Sequence, residues 1–352
     1  MGGGGKRGVG RKMALLKNKL FQLLLVILVL QGVILYLNRP KEGRIVLRLP
    51  NNQGIEELWT RGEHLIASEI GRGYHIFEWG NLRAAGRTLP TLYSPSLLLP
   101  DERIVSVKEK RGLVLENSPG RTLWIPMDER ADEVLLEADT SCGLIVAVCR
   151  FDKDAAVEYR FSRVDLEQEL LLEVCTLRGE RDFLLRKVLA ADGQALIFLA
   201  GTKGGRAYLG AIDLSEKALR WEKVYPEETE FYTICFLADR GLLFAGSRDG
   251  TVSQIDAADG QMLKTIPLVP PRLEKTKLRT IQRVVLSPDR KVLAASCDPS
   301  FYLVDIDLRQ LVRKQQVSHK IISGVAFSPD GRYLATSDIR ASGVIEIFDL
   351  TK

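Results

Sequence analysis

Two hydrophobic patterns divide the chain. Residues 20–37, LFQLLLVILVLQGVILYL, run for 18 positions without a charge. From residue 43 onward the apolar residues come in short bursts separated by turns of Ser, Pro, Asp and Gly, a pattern that reads as strands and tight hairpins. The clearest burst is VAFSPDGRYLATSD at residues 325–338: a strand, a Ser-Pro-Asp-Gly turn, and a second strand ending in small residues.

The hairpin recurs. Upstream lie VVLSPDRKVLAASCD (284–298), ICFLADRGLLFAGSRDG (234–250), KVLAADGQALIFLAGT (187–202), LLEADTSCGLIVAVC (135–149) and SLLLPDERIVSV (96–107), with a divergent copy, ELWTRGEHLIAS, at 57–68. The turn aspartates Asp101, Asp139, Asp192, Asp239, Asp289 and Asp330 are spaced by 38, 53, 47, 50 and 41 residues. A period of about 40–50 residues built from short strands predicts the blades of a propeller. After each hairpin comes a third strand, often ending in Asp: SRVDLEQ, GAIDLSE, SQIDAADG, VDIDLRQ and EIFDLTK. This alignment places Asp165, Asp213, Asp256, Asp307 and Asp349 at equivalent strand ends. With Asp192, Asp239, Asp289 and Asp330 they are expected to stabilise turns, because an Asp carboxylate accepts hydrogen bonds from the backbone just after it.

The last unit stops after its third strand, while GRIVLRLP at 43–50 precedes the first unit's own strands. The economical arrangement has residues 44–49 complete the last blade, which closes the ring and removes an open sheet edge. The repeat resembles the WD40 and YVTN-type propeller families over residues 43–352, through its SPDG turns and endings such as DAADG. It departs from standard WD40 units. None of Trp59, Trp79, Trp124 and Trp221 is followed by Asp, and only His64, His75 and His319 exist, so the Gly-His to Trp-Asp network of that family is not expected. The fold expected is all-β: a seven-bladed, WD40-like β-propeller preceded by one N-terminal transmembrane helix.

As a helix, residues 20–37 would span about 27 Å, close to the roughly 30 Å of a bilayer's hydrocarbon core. The exit, YLNRPKEGR, has no small-x-small cleavage site, which favours an uncleaved anchor over a signal peptide. The division expected is a basic cytoplasmic tail (1–19), the membrane helix (20–37), a linker (38–42) and the propeller (43–352). Residues 1–40 hold seven basic side chains and no acid, and the rest of the chain carries 43 basic against 45 acidic. The positive-inside bias puts the N-terminus in the cytoplasm and the propeller outside, periplasmic or extracellular, on the plasma (inner) membrane. In this geometry the chain enters the last blade from the SPDG-turn face, which should therefore face the bilayer. The near-neutral propeller argues against nucleic acid as a partner.

Candidate chemistry is sparse. Cys142, Cys149, Cys175, Cys235 and Cys297 form no C-x-x-C pair. The three histidines have no ligand spacing, so neither a metal nor a cofactor is expected. Asp298 and Asp338, after second strands in adjacent units, are the one pair considered for an oxygen-only calcium site, with turn roles preferred. Two loops are candidate docking surfaces for a partner protein: a basic one at 269–279 with Arg272, Lys275, Lys277 and Arg279, and an acidic one at 225–231 with Glu227, Glu228 and Glu230. The function expected is a non-catalytic interaction scaffold, a subunit or assembly factor of a membrane complex. The resemblance also admits an enzyme or enzyme subunit of lactonase or amine dehydrogenase type, and a tethered sensor of a small ligand is a third alternative.

Overall fold

A computed structural model describes residues 44–351 apart from 50–52, 71, 83–85, 92–95, 100, 117–122, 140–143, 154–155, 181–183, 192–194, 202–206, 227–228, 270–279 and 341–342. The chain divides into two units, Met1–Ile45 and Val46–Lys352. The sheets belong to the second unit, which holds the strand Arg44–Arg48 from Val46 on. The apolar run 20–37 and linker 38–42 lie outside the described residues, and no described helix is long and apolar enough to cross a membrane.

The strands form seven four-stranded antiparallel sheets. Blades I to VI occupy residues 55–90, 96–126, 133–180, 184–225, 231–267 and 283–316, each in simple sequence order. Blade VII has Ile322–Phe327, Tyr333–Asp338 and Val344–Asp349 in order, with Arg44–Arg48 as its outer strand. The first strand of blade I, Ile55–Arg61, packs on Ile322–Phe327 of blade VII, which brings the two ends of the ring together.

Why the sheets stack follows from the alternation. In blade IV the second strand, Ala195–Gly201, is buried on both faces: Leu196 and Phe198 pack toward blade III, while Ile197 and Leu199 pack toward blade V. Blade VI divides in the same way, with Leu293 and Ala295 facing blade V and Ala294 facing blade VII. A middle strand therefore reads as a continuous apolar run, whereas outer strands such as Gln310–Gln316 are mostly exposed. One glycine is demanded by the closure. A Cβ on Gly54 would lie 1.8 Å from the carbonyl oxygen of Ile339, so only glycine lets blade I begin against blade VII.

Candidate interaction surfaces

Antiparallel order places the hairpin turns and the turns after third strands on one face of the ring, called here the turn face. In blades VI and VII the hairpins are built alike. The hydroxyls of Ser287 and Ser328 donate to Asp289 and Asp330 at 2.6 Å. The carboxylates in turn accept the backbone N–H of Lys291 and Arg332. These bonds, led by the serine hydroxyl in each case, hold both carboxyls below the usual range. Blade V differs. Leu237 stands where those blades have Ser, no hydroxyl is present, and Asp239 turns instead to Arg290 at 3.2 Å. Its hairpin is closed by the Gly241 N–H on the Ala238 carbonyl. Asp192 lies outside the described residues.

After the third strands, Asp165 accepts the N–H of Glu167 and Gln168, Asp213 those of Ser215 and Glu216, Asp256 that of Ala258, and Asp349 that of Thr351. In blade VI the expectation fails by two residues: Asp305, not Asp307, ends the strand and accepts the Leu308 N–H at 2.7 Å. Backbone conformation explains the register. The fourth residue after the strand-end Asp is left-handed in the turns of blades III to VI: Glu169, Lys217, Gly260 and Arg309. Counting back from Arg309 gives Asp305. Asp307 therefore sits mid-turn, where it pairs with Arg240 of blade V.

The opposite face carries the loops between blades and the turns between second and third strands. Asp298 accepts the Ile322 N–H and Asp338 the Arg340 N–H, both at 2.7 Å. Burial pushes the Asp298 carboxyl up to about 6, the charge of Asp338 adds to this, and the bond from Ile322 opposes it. No group of three or more metal-ligating side chains occurs among the described residues. Of the acidic docking loop, Glu227 and Glu228 lie outside the described residues. Glu230 is only 8% exposed, its carboxylate engaged by Arg248 at 3.0 Å and by the Tyr232 hydroxyl at 3.1 Å. It is a structural acid, a correction to its expected place on a docking surface. Arg272, Lys275, Lys277 and Arg279 all lie outside the described residues.

Sequence reasoning missed three buried carboxylates. Glu69 and His75 of blade I are both buried, with Glu69 Oε2 2.8 Å from His75 Nε2 and Thr88 Oγ1 3.0 Å from His75 Nδ1. This chain ties three strands of one sheet together. Its order matches a nucleophilic relay, but Thr88 stands on the outer strand, away from the ring's loops. Glu158 of blade III is held by Lys153, Arg160 and Arg178, and Glu346 of blade VII by the N–H and hydroxyl of Ser318. A single acid inside an apolar strand, as in VIEIF, was the available signal. His319 is buried with Nε2 3.2 Å from the Thr336 carbonyl.

In comparison with known families, residues 310–349 match the WD domain, G-beta repeat family. That segment is the outer strand of blade VI plus three strands of blade VII. No curated protein matches the chain.

Proposed function

We propose that this chain is a membrane-tethered, non-catalytic propeller that docks partner proteins of a membrane complex. The observation that carries the reading is the WD-type repeat at 310–349 set in a seven-bladed ring, an architecture associated with protein interaction. A rigid ring suits recognition, since its strands fix the loops before a partner arrives and less ordering entropy is lost on binding. The apolar run 20–37 supports the tether, and the basic residues before it support a cytoplasmic N-terminus with the ring on the far side of the plasma membrane. The partners are proteins of the same membrane, not nucleic acid.

The test is extraction of the full chain from native membranes in mild detergent, with size analysis and identification of what co-purifies. Stoichiometric companion proteins are the expected result. A monomer recovered alone overturns the scaffold reading, and turnover of a lactone or amine by that monomer would put an enzyme in its place.

A further inference from the structure

We propose that the edge of the ring where blades VI and VII meet on the turn face is a second membrane contact, a basic and apolar edge seated in the interface of a bilayer that contains anionic lipid. The inference rests on the tether reading above and adds to it a surface and a lipid chemistry.

The first observation is exposure. Leu308 is 66%, Leu311 44% and Val312 60% exposed, all within five residues of the last turn and outer strand of blade VI. Among the described residues no other stretch of this length presents more than one large exposed hydrophobe. The second is charge. Residues 308–314 contain Arg309, Arg313 and Lys314 and no acid. The acid just before them, Asp307, is paired with Arg240. Aliphatic residues interleaved with cations of one sign suit a lipid interface, where apolar side chains enter the acyl boundary and Lys and Arg reach the headgroups. A protein-docking centre would instead be expected to hold aromatic anchors, and this stretch has none.

Position supplies the third argument. Arg313 donates to the Leu350 carbonyl, so this edge adjoins the last turn of blade VII. The outer strand of blade VII ends with the Leu49 N–H on the Gly343 carbonyl, at the start of Val344–Asp349. It therefore runs away from the turn face, and the chain enters at the corner beside Leu350. Only six residues separate Leu37 from Arg44, a reach of at most about 25 Å. The same outer strand exposes Val46. The blade III turn after the third strand is acidic, with Asp165, Glu167 and Glu169 and no cation. An anionic surface repels that turn, which favours contact at the VI–VII corner over contact at blade III.

The experiment reconstitutes the full chain into vesicles of zwitterionic and anionic phospholipid, with or without brominated acyl chains, and reads tryptophan emission. Val312→Trp is compared with Val224→Trp, an equally accessible site on the outer strand of blade IV, and with the unsubstituted chain as baseline. The expected result is a several-fold larger fractional quenching for Val312→Trp, reduced when Arg309→Glu and Lys314→Glu are added. Equal quenching at both sites in vesicles that carry the chain through flotation overturns the corner contact and leaves the tether intact. Failure of the chain to float removes the tether and the corner contact together.

Discussion

Blades III and VII follow one four-strand plan with different means of holding an acid inside. In blade VII the first three strands have six residues each, and buried Glu346 is satisfied by the neutral N–H and hydroxyl of Ser318. In blade III the last three strands have nine, ten and eleven residues, and buried Glu158 is gripped by Lys153 at 2.6 Å, Arg160 at 2.8 Å and Arg178 at 3.3 Å. Arg160 also reaches Asp128 and lies over the Phe151 ring. The difference shows that one alternating apolar pattern is kept while the chemistry that holds the buried acid is exchanged around it. The WD-type match covers the three in-order strands of blade VII and the outer strand of blade VI.

The strongest test of this reading asks whether both blades depend equally on their packed faces. Phe301 meets Phe348 edge-on at 5.2 Å between blades VI and VII, and Phe161 meets Phe198 at 6.3 Å between blades III and IV. Phe301→Ala and Phe161→Ala should each cost about 3–5 kcal/mol in urea unfolding, because both rings are fully buried. A much smaller cost at Phe161 would break the comparison and assign blade III's stability to its charges. Next in size is Gly54→Ala, expected to cost about 1–3 kcal/mol by forcing blades I and VII apart, with a lowered thermal midpoint. A wild-type midpoint would show that the closure yields easily.

Glu158→Gln probes the charged grip itself. Lys153, then Arg160, holds the Glu158 carboxyl at about 2. A depressed acid stabilises the fold above its unfolded value and loses that contribution as pH falls. The substitution should cost about 1–2 kcal/mol at neutral pH, given that the cations are solvent-screened. The gap from wild type should close as pH drops from about 4.5 toward 2. A gap independent of pH would mean that packing, not charge, was lost.

The smallest effect carries the opposite sign. Asp298, facing Asp338 and Arg340 at the blade VI–VII seam, is raised to about 6, so its neutral form is the one the fold prefers. The penalty for ionising it builds as pH rises from about 4 to 6 and persists above that. Asp298→Asn keeps an acceptor for the Ile322 N–H and removes the charge. It should stabilise the chain by about 1 kcal/mol at pH 7 and by nothing near pH 4, measured as paired urea midpoints. Destabilisation at pH 7 would show that the carboxylate is needed in its charged form.

Much of the fold was legible because it is written in near neighbours. Ser328, Asp330 and Gly331 make their turn within four residues, and strand faces alternate with a period of two. Legibility ended where two local solutions competed. Asp305 and Asp307 both precede turn-compatible residues, and only the left-handed backbone at Arg309 settles which one ends the strand. Glu230 reads as loop acid, and its burial depends on Arg248, eighteen positions away, which follows the second strand of blade V.

The sequence by itself therefore determined the repeat, its hairpins and the count of seven blades, since strand period, turn residues and spacing are properties of short stretches. Tertiary structure alone decided which carboxylates are interior. Glu69 needs His75 from the next strand, Glu158 needs Arg178 from the strand beyond, and Glu346 needs Ser318, which lies 28 residues before it. A charge is tolerated inside only when donors converge on it in space, and the register that brings them together is set by the whole sheet.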